Sequence, residues 1–142
     1  MNIHSGFTLR PVFAVRFVST ILGTILALLI SSAAFAADMA PEVKTAATHA
    51  GLASQAGNVK GVHTHLHHAL NCLVGPDGEG FDKDEMNPCA DMGNGAIPDT
   101  EDSKMKKKLE NAVEKANSGL DTDDYDEAKA AAMSVQKMLG TK

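Results

Sequence analysis

The sequence predicts an all-α protein: a four-helix bundle made of two helical hairpins, with a long Cys-containing loop between the second and third helices and a cleaved signal peptide in front. Two observations carry this prediction. Three of the four predicted helical segments place apolar residues three or four positions apart, which is the spacing of one helix face. Aromatic residues make up only 4% of the chain and Trp is absent, so the core must consist of smaller apolar residues, among which Ala, Leu and Met favour helices.

Length and charge narrow the classes of function. The chain has 142 residues, which is enough for one ordinary domain. Its formal net charge of -5 argues against a nucleic-acid-binding protein, because such proteins normally carry a basic patch. The composition also disfavours β-sandwiches, dinucleotide-binding folds and most large enzymes. We therefore expect no nucleic acid among the partners of this protein.

Residues 1–36 show the order of features that is typical of a signal peptide. Two arginines supply a basic region, the stretch 17–30 is almost wholly apolar, and small residues follow it. Ala34 and Ala36 occupy the -3 and -1 positions if cleavage follows Ala36. An uncleaved membrane anchor is the alternative, but an apolar run of about 14 residues is short for a bilayer span of roughly 20.

Cleavage would leave residues 37–142 as the mature helical-bundle domain. This part of the chain has no second long hydrophobic run, so we expect no stable membrane anchoring once the signal peptide is removed. The expected product is a soluble protein in the periplasm or outside the cell. Such compartments are oxidising and favour disulfide bonds.

The first hairpin is predicted over residues 40–74. Its first segment, 38–56, contains Pro41, which suits the first turn of a helix, and continues with Ala-rich sequence. A Gly-Asn pair interrupts this segment, and a second segment follows over residues 59–74. The apolar stripe of the second segment consists of Val62, Leu66, Ala69, Leu70 and Leu73.

Residues 75–100 are predicted to form a loop, because they are rich in Gly, Pro, Asp and Asn and show no apolar period. The second hairpin is predicted over residues 101–140. We expect Thr100 to be the N-cap of its first helix, and we expect its second helix to begin near Thr122. The two apolar stripes are Met105, Leu109, Ala112, Val113 and Ala116, and then Tyr125, Ala128, Ala132, Val135 and Leu139.

Four histidines lie within six positions of the second predicted helix, namely His63, His65, His67 and His68. Residues three or four positions apart are neighbours on a helix, so His63 pairs with His67 and His65 pairs with His68. His49 lies on the first predicted helix. If the face that carries it packs inward, His49 meets His65 or His68 across the hairpin.

Clustered imidazoles are typical of metal sites, because imidazole binds zinc, copper, nickel and iron. Two rings one turn apart can hold one ion with little change of the backbone. We therefore predict a divalent transition metal (Cu, Ni or Zn) bound by His49, His63, His65, His67 and His68. The chain has no HExxH motif and no evident general base beside these histidines, so it is not predicted to be an enzyme.

Two other interpretations of the histidine cluster stay open. His65 or His68 could bind haem noncovalently in a haem-binding or electron-transfer module, although the absence of a CxxCH motif excludes covalent c-type attachment. The cluster could also be an incidental or pH-responsive feature of a structural or interaction protein.

Two cysteines are placed so that they can close the loop. Cys72 lies near the end of the second predicted helix and Cys89 lies in the loop. A disulfide is the expected state in an oxidising compartment, and it would stabilise the fold by roughly 3 kcal/mol in the chain-entropy model. The alternative is that the Cys72 thiolate binds metal beside His68, which would favour Cu(I) or zinc.

Paired helical hairpins that carry histidines resemble the small metal-binding protein family, His-rich periplasmic four-helix bundles that bind copper and other divalent metals. The resemblance covers about residues 42–74 and, more weakly, 105–139. It implies a ligand role for the helical histidines of the first hairpin. Members of that family carry histidines on all helices and lack the long Cys-containing loop. The stretch HTHLHHALNCLVGP, with the later NPC, is also similar to uncharacterised secreted bacterial proteins.

The leading functional hypothesis from the sequence is an exported protein that buffers, stores or delivers a transition metal. Its expected partners are metal ions. A homo-oligomer is compatible with this hypothesis, because two chains can share one metal site.

Overall fold

The structure is a computed structural model that describes residues 40–140, and every element of secondary structure in that range is a helix. The helices are α1 (Pro41–Gln55), α2 (Val59–Val74), α3 (Ala96–Asp99), α4 (Ser103–Leu120) and α5 (Tyr125–Leu139). The prediction of an all-α fold is therefore confirmed for residues 40–140. The predicted signal peptide, residues 1–36, lies outside the described residues. None of the described helices has the length and apolar character needed to cross a membrane.

The first two helices, α1 and α2, lie within residues 40–74 and pack against each other. α1 begins at Pro41 and is followed by extended backbone at Ala56. Asn58 caps α2, because its side chain accepts a hydrogen bond from the backbone N–H of Gly61 at 2.9 Å. The hydroxyl of Tyr125 in α5 donates to the carbonyl oxygen of Ala56 at 2.7 Å. This bond attaches the turn of the first hairpin to the second hairpin.

Both long helices of the second hairpin begin later than predicted. The N-cap of α4 is Asp102 and not Thr100, because the Asp102 carboxylate accepts hydrogen bonds from two backbone N–H groups of the first turn. The N-cap of α5 is Asp124, two residues after Thr122. The hydroxyl of Thr122 donates instead to Glu127, at 2.9 Å. A carboxylate cap also interacts favourably with the positive end of the helix dipole.

The four longer helices share one core. α1 packs against α2 and α5, and α4 packs against α5 and α2. Small residues allow a close approach: a Cβ atom on Gly119 of α4 would lie 2.8 Å from both Ala131 Cβ and Leu66 Cδ1. Most of the predicted stripe residues are buried here, namely Val62, Leu66, Ala69, Leu70, Leu73, Leu109, Ala112, Ala116, Ala128, Ala132, Val135 and Leu139.

The loop predicted over residues 75–100 is mostly irregular, but it ends in the short helix α3, which the sequence pattern did not predict. α3 contacts α2 and α4, so tertiary packing stabilises a turn that is too short to form alone. The two ends of the irregular part meet at Gly75 and Gly95. A Cβ atom on Gly95 would lie 2.6 Å from the backbone nitrogen of Gly75, so this approach requires glycine.

The predicted disulfide between Cys72 and Cys89 is present and joins α2 to the middle of the loop. Both cysteines are buried in the core. Because the sulfur of Cys72 is bonded to Cys89, the alternative in which a Cys72 thiolate binds metal beside His68 does not apply to this structure.

Candidate metal-binding site

Three histidines from two helices meet where α1 packs against α2. His49 lies on α1, and His65 and His68 lie about one turn apart on α2. One ring nitrogen from each residue lies within 4.8 Å of the other two. The ring centroids are 5.7 Å apart for His49 and His65, 5.2 Å for His49 and His68, and 5.5 Å for His65 and His68. The predicted approach of His49 across the hairpin is therefore confirmed, and His49 reaches both rings of this three-histidine group.

Each ring of the three-histidine group has a nitrogen without a partner. The Nδ1 atoms of His49, His65 and His68 are buried and have no hydrogen-bond partner among the described residues. The side chain of His68 is buried, and those of His49 and His65 are half-buried. A buried polar atom that makes no hydrogen bond costs free energy. A bound metal ion would remove this cost by accepting the lone pair of a ring nitrogen.

A loop carboxylate faces the other nitrogen of His68. The Nε2 atom lies 3.4 Å from the carboxylate oxygen Oε2 of Glu85. An acceptor next to Nε2 favours the tautomer in which Nε2 carries the proton. In that tautomer, Nδ1 of His68 holds the lone pair that a metal ion needs.

The surroundings of the group favour neutral imidazole. Burial is the main cause that lowers the pKa of His49 below its ordinary value, and the nearby rings of His68 and His65 lower this pKa further. Burial also lowers the pKa of His68, although the carboxylate of Glu85 acts in the opposite direction. Metal ions bind the neutral form of imidazole, so the lowered pKa values keep His49 and His68 in the metal-binding form to lower pH.

The structure does not bring the other two predicted ligands into the three-histidine group. The ring of His63 meets the carbonyl oxygen of Thr122 at 3.0 Å through its Nε2 atom. The Nδ1 atom of His67 lies 3.3 Å from Oδ2 of Asp82, within ion-pair distance but outside hydrogen-bond geometry. His63 and His67 thus face different partners, and their joint role as metal ligands stays a prediction.

Two residues that support the group were not singled out from the sequence, namely Asn71 and Glu85. Asn71 is 1% exposed, and its side chain bonds to the backbone of Asp82 and Met86 in the loop. A buried amide needs partners, so an Asn within the apolar half of α2 was the available signal. Glu85 lies in the irregular loop, where sequence spacing does not indicate which residues meet.

We expect the metal-free protein to lose stability as the pH falls below about 6.5, the ordinary pKa of His. The unfolded chain takes up protons near that pH, whereas the folded chain keeps His49 and His68 neutral to lower pH because their pKa values are lowered. The contribution of these histidines to the free energy of unfolding is therefore at its full value above about pH 6.5. It declines as the pH falls towards the folded-state pKa values. Urea denaturation at about pH 8 and about pH 5.5 measures this decline.

The variant His49→Gln is the control for the pH experiment, because it removes one of the two rings with a lowered pKa and keeps a polar side chain. Its loss of stability between the two pH values should be smaller than that of the wild type. A loss that equals the wild-type loss would contradict the contribution of His49.

Comparison with protein-family models, with curated proteins and with solved structures finds no match for this chain. Support for a function therefore comes from the geometry of the three-histidine group.

Proposed function

We propose that this protein binds a divalent transition metal through His49, His65 and His68, and that it buffers, stores or delivers the ion and does not catalyse a reaction. The observation that carries the proposal is the convergence of three ring nitrogens, one from each residue, within 4.8 Å of one another. Three imidazoles are a ligand set that suits copper, nickel and zinc.

The three ring nitrogens need to move only slightly closer together to bind one ion. Zinc binds imidazole nitrogen at about 2.0 Å, so two ligands of one tetrahedral ion are about 3.3 Å apart. Rotations of the side chains can supply a contraction of this size, because two ligands share α2 and the third lies on the helix packed against it. The α1–α2 packing therefore supports the proposal, because it brings the three histidines together without an ion.

Three protein ligands leave at least one coordination position for water or for a group from another molecule. Half-buried side chains at His49 and His65 are consistent with entry of an ion from the surface. An accessible position of this kind suits exchange of the metal with a partner more than permanent structural binding. This favours buffering or delivery over a purely structural role.

The proposal includes the location and the architecture. We propose a protein exported to the periplasm or secreted after cleavage behind Ala36, with its four longer helices arranged as a four-helix bundle. The Cys72–Cys89 disulfide supports export, because disulfides persist in oxidising compartments.

The proposal is tested by titrating the untagged protein with Cu(II), Ni(II) and Zn(II), and separately with haemin. We expect one equivalent of a divalent metal to bind. The variant His65→Ala removes a proposed ligand, so it should weaken metal binding by more than about 100-fold. Loss of a residue that only supports a ligand typically weakens binding by about 10–100-fold.

The variant His67→Ala is the matched control, because His67 lies on the same helix but outside the three-histidine group. It should bind the metal almost as well as the wild type. Equal loss in the two variants, or no binding of any metal by the wild type, would overturn the proposal. A Soret band from tightly bound haemin that disappears in His65→Ala would support the haem alternative instead.

A further inference from the structure

Two adjacent histidines on α2 each face a carboxylate from the same part of the loop. His67 faces Asp82 with 3.3 Å between Nδ1 and Oδ2, and His68 faces Glu85 with 3.4 Å between Nε2 and Oε2. Only His68 belongs to the three-histidine group. Glu85 therefore contacts a proposed metal ligand, whereas Asp82 contacts a histidine that is not part of the group.

Hydrogen bonds from Asn71 of α2 hold the loop segment that carries Glu85. The side-chain amide of Asn71 donates to the carbonyl oxygens of Asp82 at 2.8 Å and Met86 at 3.2 Å, and its oxygen accepts from the N–H of Asp82 at 2.9 Å. Asn71 also lies 3.4 Å from the carbonyl oxygen of Glu85 itself. These bonds determine where the backbone of Glu85 lies relative to α2.

The disulfide closes the same segment at its other end. Cys72 follows Asn71 in α2 and is bonded to Cys89, which comes three residues after Met86. Two consecutive residues of α2 thus hold the loop on both sides of Glu85. Because the backbone around Glu85 is already held, its contact with His68 requires the ordering of little more than the Glu85 side chain.

We propose that Glu85 is the positioning residue of the metal site: it accepts a hydrogen bond from the Nε2–H of His68 and so directs the Nδ1 lone pair of His68 to the metal. This inference rests on the proposed function. Metal-bound histidines generally donate their second N–H to a carboxylate or a carbonyl, which sets the tautomer, orients the ring and raises its basicity. The unpartnered, buried Nδ1 atom of His68 is the nitrogen that this arrangement leaves for the ion.

The experiment measures zinc affinity by competition with a chromophoric chelator for the wild type, Glu85→Gln and Asp82→Asn. Loss of an outer-shell carboxylate typically lowers metal affinity by about 10–100-fold, and we expect a loss in this range for Glu85→Gln. Asp82→Asn is the matched control, because it removes the same charge from the same segment but next to His67. It should change zinc affinity by less than about threefold.

A spectroscopic readout separates positioning from a merely structural role. Long-range ¹H–¹⁵N correlation spectra of the zinc-loaded wild type should show His68 bound through Nδ1 and protonated at Nε2. This measurement needs no variant, so it tests the proposal even if a substitution disturbs the loop. Far-UV circular dichroism of Glu85→Gln should match that of the wild type, because the Glu85 side chain is 33% exposed.

The outcomes distinguish the two proposals. Zinc binding by the wild type with Nε2 of His68 as the ligand, or with unchanged affinity in Glu85→Gln, would overturn the role of Glu85 and leave the metal site in place. Equal losses in Glu85→Gln and Asp82→Asn would also overturn it, because the effect would then be one of general charge. If the wild type binds none of zinc, copper and nickel, both proposals are overturned.

Discussion

Saturating zinc is expected to raise the free energy of unfolding by about 4 kcal/mol when free zinc is about 1,000 times the dissociation constant. The proposed ligands come from two helices, His49 from α1 and His65 and His68 from α2. The complete site therefore exists only while these helices are packed together, and the ion stabilises that packed state. For a domain of about 100 residues, this gain corresponds to a rise in Tm of more than about 15 °C. Thermal unfolding with added zinc, and again after addition of excess EDTA, measures the rise and its reversal.

The variant His49→Ala tests whether the ion joins the two helices. It keeps the pair His65 and His68 on α2, so any zinc bound by one helix alone remains. The ion can then no longer connect α1 to α2, and we expect most of the increase in Tm to disappear. An increase in His49→Ala as large as in the wild type would show that zinc stabilises the fold at another place.

Much of the helical framework could be predicted from the spacing of apolar residues. The stripes of α2, α4 and α5 occupy the core because a helix repeats every 3.6 residues and these segments are long enough to form several turns. The exact starts of α4 and α5 could not be predicted in the same way. Each is preceded by several residues that can act as caps, and Asp102 and Asp124 are selected by the hydrogen bonds that their carboxylates make.

The candidate site was predictable only in part. Spacing alone places His65 beside His68 and makes His63 a neighbour of His67, so both pairs are equally good candidates from the sequence. The residues that pack against α2 differ between the two pairs, and spacing does not reveal them. α1 brings His49 to His65 and His68, whereas the ring of His63 meets the carbonyl oxygen of Thr122, which precedes α5.

The loop residues near the site were the hardest to predict. Irregular backbone has no period, so its path depends on specific attachments and not on a pattern. In this chain, the attachments are the buried side chain of Asn71, the Cys72–Cys89 disulfide and the contact between Gly75 and Gly95. Of these, the disulfide was predictable from the expected export and the number of cysteines, but the attachment of Asn71 to the segment around Glu85 was not.

Loss of the disulfide in a Cys72→Ala, Cys89→Ala double variant is expected to lower the free energy of unfolding by about 3 kcal/mol. The two cysteines are separated by 17 positions, and the bond limits the conformations of that segment in the unfolded chain. In the folded state, the segment has no long helix to hold it, so it should also become sensitive to proteases near Glu85. Urea denaturation of the metal-free protein gives the free energy, and limited proteolysis followed by mass spectrometry locates the cleavage.

The matched control for the disulfide variant is Met86→Ala, a substitution in the same loop segment at a side chain that is 62% exposed. We expect this variant to stay within about 0.5 kcal/mol of the wild type. Because the bond also holds the segment that carries Glu85, the double variant should bind zinc more weakly than Met86→Ala does. If the double variant unfolds at the same urea concentration as the wild type, Asn71 and the packing of the loop hold the segment by themselves, and the disulfide contributes little to the fold or to the site.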